Sequence, residues 1–161
     1  MTFTAWSGQL KPGKKVPESY VFNGMGCEGK NISPPIEWKE APSNTKSFAV
    51  TVHDPDAPKM GGWWHWTVVN IPANVSKLEE GASNENSLPK EALEIKTDFG
   101  NVHYGGPCPP KGDAPHHYVF TVYALKNPAV RVTPNSTPAS IKKSLELDSL
   151  AKSSFTVEYG R

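Results

Sequence analysis

Sixteen prolines and thirteen glycines are distributed over a chain of only 161 residues. Proline removes a backbone donor and breaks helix interiors, and glycine supplies the backbone angles that tight turns need. A chain punctuated this often is built of short segments joined by turns, which argues against a helical bundle. Between the breaks lie runs with strand character. Ser47–Asp54 alternates, with Phe48, Val50 and Val52 on one face. His65–Ile71 is apolar on both faces, as in a strand covered on both sides. His117–Leu125 is the longest and the richest in β-branched and aromatic residues. Phe155, Val157 and Tyr159 alternate with polar residues near the C-terminus, and Ser19–Phe22 is a weaker fifth candidate. Strands separated by Pro/Gly turns predict a mainly β, antiparallel sandwich in a single domain over residues 1–161.

One helix is expected. Thr137 suits an N-cap and Pro138 the first helical position. Ile141 and Leu145 lie one turn apart on a path that runs to about Ala151, while Leu147 and Leu150 fall off that stripe. Asn74–Tyr104 reads as a long loop, the kind of segment that often carries function.

The 17 basic and 16 acidic side chains give a formal net charge of +1, and the lysines are scattered. That pattern is a solvated surface and not the footprint of a nucleic-acid binder. Met1–Leu10 has neither the basic nor the apolar region of a secretory signal, and no apolar run is long enough to span a bilayer. The expected location is therefore the cytoplasm. Cys27 and Cys108, the only cysteines, make neither a disulfide framework nor a zinc site by count. In a reducing cytoplasm the default is two free thiols.

Two segments hold the candidate chemistry. Asp54-Pro55-Asp56-Ala57-Pro58 leads into Gly62-Trp63-Trp64-His65-Trp66, and Tyr104-Gly105-Gly106-Pro107-Cys108-Pro109-Pro110 leads to His116-His117-Tyr118. Each joins a rigid loop to a core strand, so polar groups can converge at neighbouring strand ends. Gly105 and Gly106 suit positive φ and a nest of N–H groups around an anion. Histidines add donors, Tyr118 offers a hydroxyl, and Asp54 or Asp56 can orient a histidine or accept an ammonium group. The set suits a zwitterion such as phosphoethanolamine. Neighbouring strand residues face opposite ways, so only one of His116 and His117 should face the pocket.

Simpler readings compete. Asp-Pro-Asp is also an ordinary turn, His65 can be a hydrogen-bonded core histidine, and Gly-Gly-Pro can be a turn alone. His53, His65, His103, His116 and His117 with the two aspartates offer enough metal ligands, but their spacing matches no compact zinc or iron pattern. A hydrolase of phosphate or acyl esters using Asp54 and His65 lacks a recognisable nucleophile motif. No cofactor is implied.

DPDAP…GWWHWTVVNIP and YGGPCPPKGDAPHHYVFTVYAL together resemble the two signature regions of the phosphatidylethanolamine-binding protein family, nearest its prokaryotic Raf-kinase-inhibitor-like branch. GCEGKNISPPIEW and SLAKSSFTVEYGR fit the same branch, so the resemblance covers nearly the whole chain. It implies an antiparallel β-sandwich of Greek-key type with a short C-terminal helical region. It implies a non-catalytic pocket at one end of the sheet for phosphate, phosphoethanolamine or a carboxylate. By position it assigns that pocket Asp54, Asp56, His65, Gly106, Cys108, His116 and Tyr118, to which the glycine-loop reading adds Gly105. Cys108 stands where eukaryotic relatives carry glycine, and its N–H can still donate. The resemblance also places Cys27 and Cys108 in loops at the pocket end, as neighbours. Relatives are linked to inhibition of kinases or proteases and to lipid binding, and those of this branch are often homodimers. The sharpest expectation is that His65 and His116 converge on one anion with Asp54 behind His65, raising that histidine's pKa, while His53 points elsewhere.

Overall fold

The computed structural model describes residues 2–161. In chain order its elements are β1 (Thr4–Trp6), a 3-10 turn (Glu18–Tyr20), β2 (Asn23–Gly24), β3 (Cys27–Glu28), β4 (Ile36–Lys39), β5 (Ser47–Asp54), β6 (Trp63–Pro72), β7 (Lys77–Leu78), β8 (Leu93–Glu94), β9 (His116–Leu125), α1 (Pro138–Asp148) and β10 (Ser149–Tyr159). The five-stranded sheet runs β10-β9-β5-β6-β8, the three-stranded sheet β1-β4-β7, and β2-β3 is a small hairpin. The strand pairings within these sheets are antiparallel.

The alternation in β5 sorts its residues onto two cores. Phe48, Val50 and Val52 join Trp66, Val68, Phe120 and Val122 between the sheets, against Trp38 of β4. Ala49 faces the other way, with Val69, Tyr123 and Leu125, and is covered by Ile141 and Leu145 of α1. A central strand covered on both faces reads as continuous hydrophobicity, which explains β6. The helix starts as its sequence dictates: Thr137 Oγ1 accepts from the Ser140 N–H at 3.1 Å, and Ser140 Oγ accepts from the Thr137 N–H at 3.0 Å, a capping box. It stops at Asp148 because β10 begins at Ser149. Leu147 is 78% exposed, and Leu150 belongs to β10.

Three expectations change. Ser19–Phe22 is not a strand, since Glu18–Tyr20 form the 3-10 turn after Pro17. The long loop carries the short strands β7 and β8. The cysteines are not free thiols: Cys27 and Cys108 form a disulfide with Cα atoms 6.0 Å apart, and they are neighbours as the resemblance implied. The segment before the 3-10 turn runs along β10, with the N–H groups of Gly13 and Val16 donating to the carbonyls of Thr156 and Glu158. Among the described residues, no helix is long and apolar enough to cross a membrane.

Candidate functional site

At the end of the large sheet, the termini of β5, β6 and β9 bring Asp54, His65, His116 and Tyr118 around a cavity of about 240 Å³. Trp63, Phe99, Met25, Cys108 and Pro109 complete most of the wall. Asp54, His116 and Tyr118 reach it by strand parity, on the face that carries Val52 and Phe120. His65 should not, because its neighbour Trp66 already points to that face. The register explains it. Val52 pairs with Trp66 and His53 with Trp64, so His65 is the extra residue of a β-bulge. A bulge re-aims a side chain, and the His65 ring sits edge-on to Tyr118 with centroids 5.2 Å apart. His53, before the bulge, turns to the helix-covered side and hydrogen-bonds through Nε2 to the Gly61 carbonyl at 2.7 Å.

The partners differ from those expected. Asp54 is not behind His65. Its Oδ2 accepts from His116 Nδ1 at 2.7 Å, and its Oδ1 accepts from the Asp56 N–H at 2.8 Å. His116 Nε2 donates to Asp113 at 2.9 Å, so both ring nitrogens face carboxylates. Burial works against charging this ring, but the bonds to Asp54 and Asp113 outweigh it and raise its pKa. His65 behaves oppositely. Burial pushes it down to about 4, more than its bond to Gly105 and the nearby charge of Asp54 offset. Its Nδ1 lies 2.6 Å from the Gly105 carbonyl, which only accepts. Nδ1 therefore carries the proton, and Nε2 is left as an acceptor.

Gly105 and Gly106 do not form an anion nest. Neither has positive φ. The Gly105 N–H donates to the His65 carbonyl at 3.0 Å, and the Gly106 N–H to Asn31 Oδ1 at 2.7 Å. Close packing is what requires glycine here: a Cβ at Gly105 would lie 2.3 Å from the Phe99 ring, and one at Gly106 2.0 Å from the Tyr20 carbonyl. The N–H of Cys108 has no partner among the described residues, and its neighbours Pro107 and Pro109 have no N–H. Asp56 lies outside the cavity and accepts from the N–H and Nδ1 of His117, at 2.8 and 2.7 Å. That bond holds Asp56 below the usual carboxylate range and raises exposed His117.

Four contributors escaped the sequence reading. Phe99, from the long loop, stacks on Phe22 at 4.4 Å and meets Trp63 and His65 edge-on. Asn31 braces the glycine loop, its Nδ2 donating to the Tyr104 carbonyl at 3.1 Å. Asp113 lies three residues before His116, a spacing that the sequence displays but does not explain. Arg161 donates to the Pro109 carbonyl at 2.7 Å and reaches the carbonyls of Gly26 and Met25 at 3.4 Å. With the disulfide, it ties the β2-β3 hairpin to the proline-rich wall.

What results is a small β-sandwich with a preformed pocket at one sheet end, offering hydrogen-bond donors and acceptors against aromatic and proline walls. The family described as phosphatidylethanolamine-binding protein matches residues 6–160, and the chain belongs to it. It is 48% identical over 159 residues to the UPF0098 protein YbcL of Escherichia coli, covering 98% of this chain and 87% of that one. To YbhB of the same organism it is 44% identical over 154 residues, covering 95% and 97%. The crystal structure of E. coli YbcL, described as a new member of the mammalian PEBP family, superposes with a TM-score of 0.96 over 100% of this chain and 99% of that one. The homologue CT736 from Chlamydia trachomatis gives 0.82 at 29% identity, covering 99% and 98%.

Proposed function

We propose that this protein binds, without turning over, a small phosphorylated head group in the pocket of Asp54, His65, Cys108, His116 and Tyr118. The observation that carries the reading is a pair of orphaned donors. Trp63 Nε1 and Tyr118 Oη are buried with no partner among the described residues, and both residues line the cavity. Buried polar groups left unpaired are costly, and a bound ligand or water relieves that cost. Burial and the nearby charge of Asp54 push the Tyr118 hydroxyl well up, so it stays a neutral donor. The Cys108 N–H adds a third donor. Asp54 and His65 Nε2 supply acceptors. A monoprotonated phosphate ester, phosphoethanolamine included, carries both the acceptors and the donor that this set requires.

Binding is favoured over catalysis because no serine or threonine lines the cavity and the Cys108 sulfur is committed to the disulfide. The role we infer is regulatory, with occupancy by a head group, or by a phosphorylated residue of a kinase or protease partner, as the signal. The disulfide also bears on location. Such bridges persist in oxidising surroundings, so it supports a non-cytoplasmic compartment over the cytoplasmic one expected from the first ten residues.

Calorimetric titration with phosphoethanolamine tests the pocket. Tyr118→Phe is expected to weaken binding about tenfold, one charge-assisted hydrogen bond. It should also raise the stability of the ligand-free protein by about 1 kcal/mol, since the unpaired hydroxyl is gone. Unchanged affinity in Tyr118→Phe would overturn the assignment.

A further inference from the structure

On the helix-covered face of the large sheet, remote from the parity that builds the pocket, lies a larger concavity of about 1040 Å³. It runs between the β5-β6 turn and one side of α1, with Trp64 among its lining residues. Among the described residues, the two most exposed large apolar side chains both border it: Met60 at 98% and Leu147 at 78%. Neither packs into the buried core. The helix already buries Ile141 and Leu145, and Met60 sits at the tip of a turn. Exposed apolar groups concentrated on one concavity mark an interaction surface, and methionine adapts its shape to a partner.

The charge is one-sided. Asp98 and Glu146 are the carboxylates of the cleft, and both are engaged, with Lys59 at 2.9 Å and Lys152 at 3.1 Å. Lys96, Lys142 and Lys143 also line it, and none makes an ion pair among the described residues. We propose that this cleft docks an acidic segment of a partner protein, with an apolar side chain of that segment seated between Met60 and Leu147 and its carboxylates on Lys96, Lys142 and Lys143. A membrane surface fits less well. Here the apolar groups border a concavity between a turn and a helix instead of projecting from one convex face, and an extended peptide follows such a trough. The cleft shares Lys59 with the head-group pocket, but its assignment uses none of that pocket's ligand groups.

Fluorescence anisotropy with a labelled peptide of repeating Glu-Glu-Leu tests it, with the Gln-Gln-Leu counterpart as control. The acidic peptide should bind, and added salt should weaken it. Lys142→Glu/Lys143→Glu on the helix and Lys96→Glu on the facing segment should each cost about tenfold, and Met60→Ser/Leu147→Ser about fivefold. Unchanged thermal midpoints would show that these exposed changes leave the fold intact. Equal binding of the uncharged peptide, equal binding by the charge variants, or no binding at all would overturn the proposal. So would preferential binding of phosphatidylglycerol vesicles that displaces the peptide, or self-association in sedimentation that the same variants abolish.

Discussion

Reducing the Cys27–Cys108 bridge is expected to lower the free energy of unfolding by about 4.5 kcal/mol. The cysteines are 81 residues apart in sequence, so the bridge closes a long loop in the unfolded chain. On the loop-entropy account a crosslink over such a span is worth about that much. For a chain of this size it corresponds to a fall of roughly 10–18 °C in thermal midpoint. Cys27→Ser/Cys108→Ser should match the reduced protein, because removing the bond and removing the sulfurs act on the same unfolded ensemble. Urea unfolding with and without reductant gives the difference, and thiol titration should count no free thiol before reduction. The fold should survive in the mutant, since Arg161 still joins the hairpin to the Pro109 wall. A loss below about 1 kcal/mol would mean that the bridge constrains little of the unfolded chain.

Stability should also pass through a maximum near pH 6.5, the ordinary pKa of histidine, with the acid side set by one buried ring. His65 is held neutral in the fold, with a pKa lowered from 6.5 to about 4. Its contribution is fully present above pH 6.5. It is lost as the pH falls toward 4, because the unfolded chain takes up the proton first. That interval corresponds to about 3 kcal/mol. His116 acts in the opposite sense, with a raised folded pKa. Its contribution is fully present below pH 6.5 and disappears as the pH climbs through the raised value. His65→Gln should flatten the slope between pH 6 and about 4.5, whatever it does to absolute stability. An NMR titration of the His65 ring with a midpoint near 6.5 would sink this account. Protonation of His65 also cannot be what strengthens phosphate binding as the pH falls. Any such gain above pH 5 comes from protonation of His116, whose pKa is raised, or from the ligand's own second ionisation near 6.

The long elements were legible because they carry redundant signals. β5, β6 and β9 each combine periodicity with β-branched and aromatic residues, and Thr137-Pro138 announces α1. β1, β7 and β8 are three residues or fewer, too short for any period to show, and exist because the neighbouring strand offers hydrogen bonds. Of the residues expected around the pocket, Asp54, His65, Cys108, His116 and Tyr118 line the cavity while Asp56, Gly105 and Gly106 do not, and the partners were not legible. Strand alternation places His116 in and His117 out, as found. Alternation alone would send His65 to the wrong face. Only the bulge, set by pairing with β5, returns it to the pocket, and that bulge puts its Nδ1 on Gly105 instead of on Asp54. The glycines misled for a related reason: Gly-Gly-Pro suggests a nest whether its N–H groups face a ligand or Asn31, and only tertiary packing decides.

The segment that runs along β10 has a consequence for how the molecule lives at high concentration. A sheet's outer strands present unpaired N–H and C=O groups, a template on which another chain can add. β10 is eleven residues long and would be such a template. Gly13 and Val16 satisfy the carbonyls of Thr156 and Glu158, and the Ala5 N–H donates to the Ser153 hydroxyl, so the C-terminal part of this border is already covered from within. At the opposite border β8 is only two residues long, too short to nucleate pairing. Strand addition is thus hindered at the C-terminal part of β10 and at short β8, and deleting residues up to Val16 would open the longer border.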